Sequence, residues 1–203
     1  MTGGTQDRHV FLLGSTNRGK LREYREILQG LDLELTAPSD LKPVPPEPDE
    51  DAATYAENAS AKARGYAAAS GLPTIADDSG LEVYALRGAP GVRSRRFFGE
   101  DASADERNAK LLALLDGVAD RSARFVCVTA LASPDGHVEL FEGEVHGEIA
   151  ESPRGDAGFG YDPVFVISGD GRTMAELSPD EKHRISHRGL AGAKLRARLA
   201  AGA

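Results

Sequence analysis

Apolar residues fall in short runs separated by polar and glycine-containing stretches, and their spacing predicts alternating strands and helices. Val10-Phe11-Leu12-Leu13 reads as a short buried strand. Leu21, Tyr24, Leu28 and Leu31 then recur at helical spacing, with Gly30 at the end of that helix. Leu33 to Thr36 suits a second strand. Thr54 with Glu57 reads as a capping box opening a helix to about Ser70. Tyr55, Ala59, Ala63 and Tyr66 share its apolar face; Glu57, Asn58 and Lys62 fall on its polar side. A run ending at Ala76 meets Asp77-Asp78-Ser79-Gly80, and a second alternating run starts at Leu81. Ser103 and Glu106 open a helix carrying Leu111, Leu112, Leu114 and Leu115, which stops at Gly117. Ala123 to Ala132 is a long apolar strand, and His137 to Ile149 alternates as its hairpin partner, bending at Gly143. Neighbouring strands of that length are most simply antiparallel, so the sheet is expected to be mixed. Ser178 and Glu181 form a third box with Pro179 at the first helical position. The final helix runs through Leu190, Leu195 and Leu199.

These elements describe an α/β chain, and its 203 residues suit one domain over residues 9–203, or two lobes sharing a sheet. Met1 to Arg8 reads as a disordered tail. The formal net charge of −8 disfavours a nucleic acid polymer as partner, while leaving room for a small anionic substrate beside local cations or Mg²⁺. Cys127 is the one cysteine, set between Val126 and Val128, and reads as a core residue. With no disulfide, no signal peptide and no membrane-spanning apolar stretch, the expected setting is cytoplasmic, away from any membrane.

The chemistry concentrates in a few stretches. Asp77 and Asp78 end an apolar run, where an ionised carboxylate needs a cation, a donor or a proton. Adjacent strand residues point to opposite faces, so one of the two faces solvent more easily than the other. A turn between strands and a Mg²⁺ site for phosphate cleavage both fit these residues. Gly14-Ser15-Thr16-Asn17-Arg18-Gly19-Lys20 is a polar loop between a strand and a helix, which suits an anion. It meets most of a Walker A pattern but has Leu21 where Mg²⁺ binding needs Ser or Thr, which argues against a P-loop phosphotransferase. Residues 43–51 are proline-rich and acidic, an irregular loop in which Asp49 or Glu50 is a candidate to swing onto a metal. Arg93, Arg95 and Arg96 cluster after Gly91. In Gly155–Phe165, the glycines allow close approach to a ligand, and Phe159 suits stacking on a base.

Taken in order, these stretches match one family. Ser15-Thr16-Asn17-Arg18-Gly19-Lys20, Thr54 with Glu57-Asn58-Ala59 and Lys62-Ala63, and Ile75 to Leu81 come first. Gly88-Ala89-Pro90-Gly91 with Ser94 and Arg96, Gly158 to Pro163, and Glu181-Lys182 with Ser186 to Gly189 follow. The chain resembles the inosine triphosphate pyrophosphatase family, whose members hydrolyse dITP, ITP and XTP to the monophosphate and pyrophosphate. It departs at Arg95, where the family often has alanine, and in its proline-rich acidic loop.

The resemblance implies a two-lobed α/β fold with a central mixed sheet flanked by helices and an active-site cleft between the lobes, commonly as a homodimer. It implies that Asp78 is the acid-base residue and a Mg²⁺ ligand, with Ser79 touching substrate. Ser15, Thr16, Asn17, Arg18, Gly19 and Lys20 would hold the triphosphate. Phe159, Gly160, Tyr161 and Asp162 would form the base pocket, closed by Lys182, His187 and Arg188. With Asp77, or Asp49 or Glu50, completing the metal site, Lys20 and Arg96 would stabilise the leaving pyrophosphate. The rival reading is a non-catalytic nucleotide-binding regulator, which has no need of the acid pair.

Overall fold

The structure is a computed structural model that describes residues 9–202; the expected tail, Met1 to Arg8, lies outside the described residues. Its strands are β1 (His9–Leu13), β2 (Leu33–Thr36), β3 (Thr74–Val83), β4 (Ser122–Ala132), β5 (Val138–Ile149) and β6 (Phe165–Ile167). The helices are α1 (Arg18–Ile27), α2 (Tyr55–Ser70), α3 (Ala104–Leu114), α4 (Pro179–Ile185) and α5 (His187–Ala201). One six-stranded sheet has the order β2-β1-β3-β4-β5-β6. β1 runs parallel to β2 and β3, and β3 to β6 are antiparallel to one another, so the sheet is mixed as expected. Among the described residues, no helix is long and apolar enough to cross a membrane.

Asp77-Asp78-Ser79-Gly80 forms no turn. β3 is one ten-residue strand through these four residues, paired residue for residue with β4, with Asp77 opposite Thr129 and Asp78 opposite Val128. The long β4 partner overrides the local turn preference of these residue types. Strand alternation then sends Asp77 to one face of the sheet and Asp78 to the other. Beside Asp78 lies α2, whose Ala59, Ala63 and Ala67 pack on Ala76, Ala130 and Ala132; the small side chains let the helix sit close. Beside Asp77 lie α1 and α5, where Tyr24, Leu28 and Leu195 pack with Leu13 and Ile75. Further along β3, Leu81 and Val83 pack with Phe125, Phe165 and the α3 residues Leu111 and Leu115.

Two local expectations shift. Helix α1 starts at Arg18 rather than Leu21, because the Asn17 side-chain Oδ1 accepts from Gly19 N at 2.8 Å and Lys20 N at 3.3 Å. Asn58 and Lys62, expected on the polar side of α2, are 1% and 4% exposed and face the sheet. The boxes at Ser103 and Ser178 are complete. At Thr54 the Glu57 carboxylate accepts from the threonine hydroxyl.

Candidate active site

A cavity of about 430 Å³ brings together residues from distant parts of the chain. The connection after β1 contributes Ser15, Thr16 and Asn17, and the first turn of α1 contributes Arg18 and Lys20. From β3 come Asp78 and Ser79, and from the loop before β6 come Phe159, Gly160, Tyr161 and Asp162. Arg96, His187 and Arg188 also line it, as does Arg95, the residue that departs from the family pattern. Gly19 lies behind the lining, with the Phe159 ring packed so closely that a Cβ there would sit 2.6 Å from it.

The adjacent acids have different surroundings. Asp77 is 1% exposed and is absent from the cavity lining. Its Oδ2 accepts from Arg188 Nε and Nη2, each at 3.1 Å, and lies 3.2 Å from Lys20 Nζ. Burial alone would raise its pKa, but Lys20 and Arg188 overcome that and hold it well below the usual carboxylate range. Asp77, expected as one of the candidates to complete the metal site, thus has its Oδ2 engaged by Arg188 and Lys20 and does not itself line the cavity.

Asp78 is 6% exposed and does line the cavity. Its Oδ2 accepts from Asn58 Nδ2 at 2.9 Å and its Oδ1 from Ser79 N at 2.8 Å. Burial raises its pKa against the opposing pull of Lys20 and the Asn58 hydrogen bond. That direction suits a group that exchanges protons nearer neutrality.

The acidic loop is irregular, as expected, but it is fastened in place. Thr16 Oγ1 donates to Glu47 at 3.1 Å. Lys62 pairs with the Glu50 carboxylate, and Arg96 donates to the Glu50 carbonyl and lies 3.6 Å from Asp51. Burial works against the charge on Lys62, but Glu50 and Asp77 outweigh it and raise its pKa. Glu47 and Glu50 line the cavity, whereas Asp49 is exposed and is not among its lining residues. Among the described residues, no three His, Cys, Asp or Glu side chains converge as a metal cage. Asp78 and Glu50 in one cavity still suit Mg²⁺, which is commonly held by one or two carboxylates together with substrate phosphates.

Behind the cavity runs a buried chain of alternating charge. Lys182 Nζ lies 2.6 Å from Asp162 Oδ2 and 2.7 Å from Glu23 Oε1. Glu23 Oε2 accepts from Arg188 Nη1 at 2.7 Å, and Arg188 Nη2 also donates to Ser79 Oγ at 2.8 Å. Arg188, expected to help close the base pocket, directs its donors largely to Asp77, Glu23 and Ser79. Lys182 likewise lies outside the lining, 5.0 Å from the Phe159 ring centroid. His187 stacks on Phe125 with ring centroids 4.6 Å apart, and its buried Nδ1 has no protein partner. Burial, then Arg188, holds its pKa well below the ordinary value, so the ring is neutral.

Reasoning from sequence missed Glu23, Glu47, Asn58 and Lys62 as site residues. A signal existed for Glu23: it adjoins the core residue Tyr24 one turn after Lys20, where an unpaired charge is unwelcome.

Comparison with known proteins places the chain in a family. The sequence model of the Ham1 family matches residues 11–198. A dITP/XTP pyrophosphatase from Deinococcus deserti is 50% identical over 194 residues, which cover 96% of this chain and 90% of that protein. One from Geobacter sulfurreducens is 50% identical over 190 residues, covering 93% of this chain and 95% of that protein. The solved structure of a HAM1 protein from Coxiella burnetii superposes with a TM-score of 0.86 at 42% identity, covering 95% of this chain and 99% of that one. On the family match and on these relatives, the chain belongs to the Ham1 family.

Proposed function

We propose that this protein hydrolyses the deaminated purine nucleotides dITP, ITP and XTP to the nucleoside monophosphate and pyrophosphate. The observation that carries the reading is one cavity in which Asp78 and Glu50 line the same space as Ser15 to Arg18 and Lys20. The names of the relatives, dITP/XTP pyrophosphatase, support dITP and XTP among these substrates. We also read it as a cytoplasmic homodimer, on the family resemblance and its lone buried thiol.

Asp78 and Glu50 would hold Mg²⁺ shared with the substrate phosphates, and the bound ion supplies charge neutralisation and a more acidic water. Asp78 takes a proton from the attacking water. The water oxygen bonds to the α-phosphorus, the bond from that phosphorus to the bridging oxygen breaks, and pyrophosphate leaves with the electron pair. Lys20 and Arg96 stabilise the charge that builds on the leaving group. Arg188 positions Asp77 and Ser79 and so sets the floor of the site.

Base choice falls to His187 and the Phe159–Asp162 loop. Hypoxanthine and xanthine carry an oxygen at position 6 where adenine has an amine. A neutral imidazole with its N–H towards that oxygen accepts the former and mismatches adenine, leaving a buried group unpaired.

The test is pyrophosphate release from ITP with and without Mg²⁺, beside an ATP control. The reading expects Mg²⁺-dependent release from ITP and far less from ATP. Equal turnover of the two, or binding of ITP without cleavage, contradicts it, and the latter favours a regulator.

A further inference from the structure

The acidic loop and the Asp78 carboxylate are held by the same side chain. Asn58, on the first turn of α2, is 1% exposed. Its Nδ2 donates to Asp78 Oδ2 at 2.9 Å, while its Oδ1 accepts from Ala52 N at 2.9 Å. The two partners fix the orientation of the amide, since the Ala52 N–H can only donate and a carboxylate oxygen accepts.

Ala52 follows directly on Glu50 and Asp51 in a stretch without regular secondary structure. A backbone N–H there has no ladder or helix partner and is left for a side chain or water; here the Asn58 side chain takes it. One turn further along α2, Lys62 pairs with Glu50. A single face of α2 therefore fixes both the loop and the strand carboxylate that meet in the cavity.

We propose that Asn58 is a positioning residue, which clips the acidic loop to Asp78 so that Glu50 and Asp78 are held in register for the same substrate. The inference rests on the reading of the cavity as a pyrophosphatase site. Asn58 touches neither substrate nor water in this scheme; it acts through Asp78 and Ala52. A misplacement of about 1 Å at a reacting group can cost roughly 10²-fold in rate, and that is the scale at which a clip of this kind matters.

Two near-isosteric variants separate its bond to Asp78 from its bond to Ala52 N. Asn58→Leu loses both. Asn58→Asp keeps an acceptor for Ala52 N and loses the donor to Asp78. Turnover of ITP, thermal unfolding and amide hydrogen exchange at Ala52 are measured for the parent and both variants.

The proposal expects both variants to lose about tenfold to a hundredfold in kcat with KM for ITP changed less than about threefold. It expects the Ala52 amide to exchange faster in Asn58→Leu but to stay protected in Asn58→Asp. If Asn58→Leu does not fold, lost kcat with a protected Ala52 amide in Asn58→Asp still supports the clip. Parental kcat in either folded variant overturns it, as does unchanged Ala52 exchange in Asn58→Leu. If the parent does not cleave ITP, the pyrophosphatase reading falls, while the exchange measurement still decides whether Asn58 holds the loop.

Discussion

Arg188 grips Asp77 Oδ2 through Nε and Nη2, each at 3.1 Å, although the two residues are 111 positions apart in the chain. This pairing separates the roles of two neighbouring acids. Asp77 spends its charge inside the fold, where Arg188 and Lys20 keep it ionised. Asp78 turns to the other face and is left to the cavity.

Substitution of the two acids should therefore act in opposite ways on stability. Asp77→Asn leaves Arg188 and Lys20 beside a neutral group, and removing one partner of a buried ion pair costs about 3–5 kcal/mol. Asp78 is destabilised as an ion by burial, so Asp78→Asn is expected to leave the fold as stable as the parent or more so. Chemical denaturation of both variants checks this.

Lys20→Met is expected to lower kcat/KM for ITP by about 10²–10³-fold, the range seen when one preorganised electrostatic group is removed from a transition state. Steady-state kinetics on ITP measure it.

Gly80 is required by close approach. A Cβ there would lie 2.2 Å from the Gly91 carbonyl oxygen and 2.7 Å from both Ser94 Oγ and Tyr55 OH. Ser94 Oγ is also the acceptor for Leu81 N. Gly80→Ala is expected to destabilise the protein by about 1–3 kcal/mol or more through overpacking, read as a lower denaturant midpoint.

Acid sensitivity should trace in part to Glu23. Burial would raise its pKa, but Arg188 and Lys182 bring it down from 4.5 to about 2. The folded state thus holds that proton less tightly than the unfolded chain. Its contribution is complete above about pH 4.5 and is lost as the pH falls towards 2. Unfolding free energy measured across that window should fall less steeply in Glu23→Gln than in the parent.

Much of the scaffold was legible from local pattern. The apolar run at Val10 to Leu13, the helix opened by Thr54 and the β4–β5 hairpin are where periodicity and capping place them. The course of β3 was not, because Asp77 to Gly80 have turn chemistry and only pairing with β4 keeps them extended. Strand alternation did predict that the acids part to opposite faces. Which acid meets the cavity depended on Arg188, a contact with no local signature. Asn58 and Lys62 read as solvent-facing because a polar residue on a helix looks inward only once its partner is known. Those partners, Asp78 and Glu50, lie on a strand and a loop 20 and 12 residues away.

The central claim is that Asp78 supplies the chemistry of pyrophosphate release. It is tested most directly by single-turnover cleavage of ITP in the presence of Mg²⁺ by the parent and by folded Asp78→Asn. The account predicts that the variant still binds ITP but releases pyrophosphate at a rate lower by about 10²-fold or more. Release at the parental rate would contradict it.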